Sequence, residues 1–243
     1  MMVCRNLSHR FGGLLAVDDF SVTLRVGELH AIIGPNGAGK STLVNLLAGE
    51  LAPVQGTIVL DGADITGFSV ARRARAGIGR TFQRTNLMLD MTVLENVRLA
   101  AQVACHGWLR RADRVQTAID TARDALRRVG LDPAGLAVAR TLSHGQRRQL
   151  EIAVALAGQP LVLLLDEPLA GSGAEDAVPL VELMRALSRD HAVLLIEHDM
   201  DVVFAVADVI TVMVDGRMLA RGAPADIRAS ATVRDAYLGH GVT

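Results

Sequence analysis

The stretch Leu29-His30-Ala31-Ile32-Ile33-Gly34-Pro35-Asn36-Gly37-Ala38-Gly39-Lys40-Ser41-Thr42-Leu43-Val44-Asn45-Leu46-Leu47-Ala48-Gly49 decides the fold. It opens as a short apolar strand, passes through a glycine-rich turn and continues with Leu43, Leu46 and Leu47 at helical spacing. Gly49 stands where a helix of this kind ends. Gly34 to Ser41 satisfies G-x-x-x-x-G-K-[ST] in full, between a strand and a helix as that pattern requires. The glycines let the backbone curl so that successive N–H groups face one point at a helix N-terminus, which is an anion nest. Asn36, Gly37, Gly39, Lys40, Ser41 and Thr42 are therefore the candidate phosphate-binding residues, with Lys40 reaching the β- and γ-phosphates and Ser41 ligating Mg²⁺. Of the 25 basic residues, Lys40 is the only lysine, at the one place where a point charge serves better than an arginine fork.

Such a loop needs a second strand that ends in acid. Leu161-Val162-Leu163-Leu164-Leu165-Asp166-Glu167-Pro168 is an apolar run closed by two carboxylates. On this reading Asp166 helps to hold Mg²⁺ at the C-terminal edge of the sheet, and Glu167 orients or deprotonates the attacking water. Together the two segments point to hydrolysis of a nucleotide.

Working outward, the Leu29–Ile33 unit sits among β-like runs at Val3 to Leu7, Ser21 to Val26 and Thr57 to Leu60, the last followed by the hairpin signal Asp61-Gly62. From about residue 86 to 160 the pattern turns helical, with Val93 to Ala101, Val115 to Val129 and Gln146 to Ala157. Apolar strands then alternate with helices: Leu161 to Leu165, Ala177 to Leu187, Ala192 to Ile196, Val202 to Ala207 and Val209 to Val214. A second hairpin signal, Asp215-Gly216, and a helical tail through Tyr237 follow. The expected fold is α/β: a P-loop NTPase core with a mostly parallel sheet, an N-terminal antiparallel β region and an inserted helical subdomain, all in one domain over residues 1–243.

Composition narrows the classes. The 243 residues carry a net charge of -1, so no excess of cations faces a nucleic acid, and 3% aromatic residues leave little for base stacking. The longest strongly apolar stretch, between Glu151 and Asp166, is broken by Gly158, Gln159 and Pro160 and is shorter than the ~20 residues of a membrane span. No apolar signal-peptide core opens the chain. Cys4 and Cys105 stand far apart and read as reduced thiols, and Cys105-His106 lacks a second ligand pair for a metal.

One further segment is Leu142-Ser143-His144-Gly145-Gln146. Read by itself, Ser143 is a helix N-cap and Gly145 allows a second anion to approach that helix. With the strand ending in Asp166-Glu167 downstream, the chain resembles the ATP-binding subunit of ABC transporters, whose signature usually reads L-S-G-G-Q. His144 departs from it. The resemblance runs from Phe11 to Leu238. It implies that Phe11 stacks on adenine, that Gln83 senses Mg²⁺ and the permease, and that His198 contacts the γ-phosphate. The segment after Glu167-Pro168 departs from the family's S-A-L-D, with Gly173 in place of the aspartate.

Arg80-Thr81-Phe82-Gln83, Asp90 to Asn96, Ile196 to Met200 and the tail Ala236 to Gly239 resemble importers of branched-chain amino acids, amides or urea. The resemblance implies two cassettes, identical or paralogous, with each phosphate loop facing the partner's Ser143 and Gly145. It also implies integral membrane permease subunits, a periplasmic or extracellular solute-binding protein, and a place on the cytoplasmic face of the membrane. An appended regulatory domain is not expected. An exporter of lipid or drug, or a soluble ABC ATPase acting on ribosomes or DNA, is the competing expectation. Arg72, Arg73, Arg75, Arg110, Arg111 and Arg114 read as a solvated face near lipid headgroups.

Overall fold

The computed structural model describes residues 1–81, 86–104, 112–171 and 174–238. Strand β1 (Met2–Phe11) pairs with β2 (Leu14–Leu24), and after β3 (Leu29–Ile33) the phosphate-loop segment leads into helix α1 (Lys40–Ala48). Strands β4 (Gln55–Leu60) and β5 (Ala63–Asp64) follow, then α2 (Val70–Ala76), β6 (Ile78–Arg80), α3 (Val93–Ala104), α4 (Ala112–Arg128) and α5 (His144–Leu156). The last third holds β7 (Val162–Asp166), α6 (Ala174–Ser188), β8 (Ala192–Ile196), α7 (Met200–Val206), β9 (Val209–Val214), β10 (Arg217–Gly222), α8 (Pro224–Ala229) and α9 (Ala231–Leu238).

Two sheets result. One is antiparallel, in the order β2-β1-β4-β5. The other runs β10-β9-β3-β8-β7-β6 and is parallel except for its β9–β10 edge. Strands β3, β7 and β8 are buried at every position because both faces are covered. Their period of two divides the interior. Leu29, Ala31, Ile33, Leu163, Leu165, Val193 and Leu195 join α3 to α6 in one apolar cluster. Ile32, Val162, Leu164, Ala192, Leu194 and Ile196 join α1 and the antiparallel sheet in the other. The phosphate loop leaves β3, which lies between β8 and β9, at the C-terminal edge of the sheet.

The hairpin signals form as expected. Asp61 and Gly62 have φ of 47° and 83°, and Asp215 and Gly216 have 48° and 79°, the doubly positive turn that matches strand twist. Helix α5 begins earlier than its apolar spacing predicts, because Ser143 caps it. The three-residue strand β6 and helix α2 have too little periodicity to be read in sequence.

One expectation is overturned. Arg73 is not on a solvated face: it is 1% exposed, and its guanidinium donates to the carbonyls of Leu46, Leu47, Thr66 and Phe68. Helix α1 has no basic residue in its own last turn, so Arg73 supplies the cation at its carbonyl end. Arg72 and Arg75 are exposed, Arg72 over the Phe68 ring at 3.7 Å. Arg110, Arg111, Cys105 and the Arg114 side chain lie outside the described residues. Cys4 is buried and unbridged, its thiol pushed up to about 12 by burial, which leaves it inert. Among the described residues no helix is long and apolar enough to cross a membrane.

Candidate nucleotide site

Helix α1 starts on Gly39, whose φ of 97° is left-handed and which offers no side chain to cap the helix. The first N–H to find the helix's own carbonyl is that of Leu43, on Gly39 at 2.9 Å. The N–H groups of Lys40, Ser41 and Thr42 precede it, and no acid sits in the first turn to meet them. A Cβ on Gly39 would collide with the carbonyl oxygen of Ala16, and one on Gly34 with that of Met213. The loop is thus clamped between β2 and the end of β9. Hydrogen bonds from Asp18 N–H to Gly216 and from Gly216 N–H to Ala38 tie the clamp together. Lys40 folds back over the loop, its Nζ donating to the carbonyls of Gly34 at 2.7 Å and Pro35 at 3.0 Å. Burial holds its pKa below the usual lysine value, opposed by the nearby Glu167 and Asp166.

A cleft of about 540 Å³ opens on this loop. Phe11, Leu14 and Leu15 form its apolar wall, Asn36 to Thr42 its floor, and Glu167 borders it. Phe11 is half exposed and is braced edge-on by His9, with ring centroids 4.7 Å apart. An apolar edge for a base beside a nest for phosphates fits a nucleotide. The structure therefore brings Phe11, Asn36, Gly37, Gly39, Lys40, Ser41, Thr42 and Glu167 into one place.

Asp166 closes β7 and is 5% exposed; burial raises its pKa, with Arg80 the main opposing influence. An Arg80 nitrogen lies 3.4 Å from its Oδ2, while another reaches the Glu50 Oε1 at 2.9 Å. The Asp166 N–H donates to the Thr81 hydroxyl at 3.3 Å. In sequence Arg80 and Thr81 stand only as neighbours of Gln83, and their hold on Asp166 is visible only in the structure. No group of three or more His, Cys, Asp or Glu side chains among the described residues could cage a metal. The donors present, a hydroxyl and a carboxylate, suit Mg²⁺, which takes further oxygens from phosphate and water.

Glu167 adopts φ 49° and continues the strand ladder, its N–H donating to Ile196 at 2.9 Å. His198 is exposed at the end of β8 and is not part of the cleft lining; its Nδ1 lies 3.8 Å from Glu197. Glu197 is a third residue not singled out in sequence, where it stands only as a letter of the Ile196–Met200 motif. Ser143 caps α5 in a reciprocal box: its hydroxyl accepts the Gln146 N–H at 3.2 Å, and the Gln146 Oε1 accepts the Ser143 N–H at 3.0 Å. Ser143 and the buried Gly145 do not line the cleft of their own chain. The His144 ring packs near Gly171, close enough that a Cβ there would touch it at 3.4 Å. Gln83 and Gly173 lie outside the described residues.

The chain matches the ABC transporter family over residues 17–170 and the branched-chain amino acid ATP-binding cassette transporter family over residues 217–243. It is 40% identical to the high-affinity branched-chain amino acid transport ATP-binding protein LivG of Salmonella typhimurium, over 98% of each chain. Identity to BraF of Pseudomonas aeruginosa, which carries the same description, is also 40%, over 96% of this chain and 95% of that one. The backbone resembles the crystal structure of an ABC transporter's ATP-binding cassette in its ADP conformation, with a TM-score of 0.86, 30% identity and 99% of both chains covered. A dimeric cassette bound to ADP and Pi follows at a TM-score of 0.76, with 25% identity over 92% of this chain and 99% of that one. Motif, backbone and end-to-end identity agree, and the chain belongs to the ABC transporter family as one of its ATP-binding, ATP-hydrolysing cassettes.

Proposed function

We propose that this cassette energises the import of branched-chain amino acids, or of related small polar solutes such as urea and amides, through integral membrane permease subunits. The observation that carries the reading is the 40% identity to LivG and BraF along nearly the whole chain, together with the separate match at residues 217–243. Two cassettes face each other, identical or paralogous, and a solute-binding protein outside the membrane delivers the solute. The cassette acts as a single domain, with the helices between about 86 and 160 as its moving part, on the cytoplasmic face of the membrane.

In this reading Lys40 and the N–H groups of Gly37, Gly39, Lys40, Ser41 and Thr42 hold the phosphates, and Phe11 carries the adenine. Glu167, at the mouth of the cleft, takes the proton of the attacking water. His198 steadies the γ-phosphate. Ser41, Gln83 and Asp166 are the Mg²⁺ ligands, and the ion, when bound, screens the charge of the β- and γ-phosphates. The partner chain presents Ser143 and Gly145 to the same γ-phosphate. ADP lacks the group that reaches both sides, so hydrolysis releases the pair.

In this reading a permease segment docks on the helical face. An apolar groove of about 300 Å³ lies where α2, α3 and α5 converge, lined by Val70, Ala74, Ile78, Ala100, Val103 and Val154. Met88 and Leu89, which precede α3, are exposed. The test is purification from native membranes, followed by uptake of labelled leucine with and without a soluble binding protein. Co-purifying permease and binding-protein-dependent uptake support the reading. Uptake without a binding protein, outward transport, or recovery with ribosomes or DNA overturns it.

A further inference from the structure

Strands β7 and β8 end side by side, with Asp166 in register with Ile196. The residue after Ile196 is Glu197, and its side chain turns inward, leaving 2% of the residue exposed. Its Oε1 accepts the N–H of Leu169 at 2.9 Å, and its Oε2 accepts the N–H of His198 at 3.3 Å. Oε2 also lies 3.8 Å from the Nδ1 of the His198 ring. One buried carboxylate therefore accepts N–H groups from the loop two residues beyond Glu167 and from the His198 backbone, and it lies within ion-pair range of the His198 ring.

A carboxylate is costly to bury, and burial raises the pKa of Glu197, against which the Leu169 and His198 N–H groups and the His198 ring act. Its two oxygens are each used. A glutamine offers a single acceptor oxygen, so it can meet one of the two N–H groups while its NH₂ opposes the other. Glu167 occupies a left-handed backbone conformation, which persists only where neighbours over-determine it. The Ala170 N–H donates to the Glu167 carbonyl at 3.1 Å, and Glu197 secures Leu169, one of the two residues between them.

We infer that Glu197 is a positioning residue for hydrolysis: it holds the turn that presents Glu167 and orients His198 with Nδ1–H toward itself, leaving Nε2 for the terminal phosphate. A carboxylate at one ring nitrogen selects the tautomer and the aim of the other. The inference rests on the roles given above to Glu167 and His198.

The test uses the purified full-length chain, with steady-state ATPase kinetics, binding of a fluorescent ATP analogue and ¹⁵N NMR of the His198 ring. Glu197→Gln keeps an oxygen for Leu169 but faces His198 with an NH₂. Its KM and analogue affinity should stay within about twofold of the parent, while kcat falls by about tenfold or more. The ring shifts should move away from the Nδ1–H form, and Glu197→Asp should recover part of the rate. Because the effect runs through His198, the losses of Glu197→Gln and His198→Ala should not multiply in the double variant. Parental kcat in Glu197→Gln, unchanged ring shifts, or multiplying losses would overturn the inference. Should Glu197→Gln fail to fold by thermal melting, Glu197→Asp carries the same test through its ring shifts and kcat. A slow His198→Ala beside a normal Glu197→Gln removes the role of Glu197 alone. A normal His198→Ala removes the assignment of His198 and this inference with it.

Discussion

Lys40 is the residue on which the proposed phosphate recognition turns. Its ammonium rests on the Gly34 and Pro35 carbonyls of the phosphate loop. Lys40→Ala should lose ATP affinity by about a hundredfold or more, checked by equilibrium binding of a labelled nucleotide. Lys40→Arg should fail nearly as badly, since a planar fork does not fit a pocket shaped for a point charge. Unchanged binding in either variant would contradict the phosphate site. Glu167 makes a different prediction. Glu167→Gln should bind ATP with near-parental affinity and turn it over about a hundredfold more slowly, because the neutral amide cannot accept the proton of water. A parental turnover rate would remove Glu167 as the base.

At the scale of elements, α1 carries the site at one end and depends on Arg73 at the other. Arg73→Leu would strand the Leu46, Leu47 and Thr66 carbonyls in the interior, and should cost about 3 kcal/mol in urea unfolding without nucleotide. Arg73→Lys should recover only part, since an ammonium cannot span carbonyls that diverge. Strand β3 has its own marker in His30, which is fully buried and joined through Nε2 to the Thr211 hydroxyl of β9 at 2.8 Å. Burial lowers its pKa from 6.5 to about 4, with repulsion from Arg221 and Arg25 adding to the shift. The Glu28 carboxylate lies 3.2 Å from Nδ1.

Between pH 6.5 and about 4 the unfolded chain takes up a proton on His30 that the folded chain refuses. Stability therefore falls as pH drops through that window, by about 3 kcal/mol from this residue, and is present in full above it. Denaturant unfolding at pH 6.5 and 4.5 should show a smaller loss in His30→Gln. An equal loss in both proteins would show that His30 does not titrate in this way.

At the scale of the molecule, the placement of Ser143 and Gly145 outside their own chain's cleft is what a two-chain site requires. Glu167→Gln should elute as a dimer with ATP and as a monomer with ADP, read by light scattering. A dimer with either nucleotide, or with neither, would contradict bridging by the terminal phosphate. The unusual His144 does not stand alone: its ring packs near Gly171, in the segment after Glu167-Pro168 that also departs from the family pattern. His144 and Gly171, well separated along the chain, are neighbours in space.

What the sequence determined by itself was everything whose cause lies within a few residues. The phosphate loop, the Asp61-Gly62 and Asp215-Gly216 hairpins, the Ser143 cap and the apolar strands all follow from local backbone chemistry and periodicity. Tertiary structure alone decided where the isolated charges go. Arg73 reads as one more surface arginine until α1 ends beside it. Arg80 becomes the partner of Asp166 only because β6 pairs with β7. Glu197 meets Leu169 only because β8 ends next to the turn that carries Glu167. A buried charge is determined by partners far along the chain, and no spacing rule brings those partners into view.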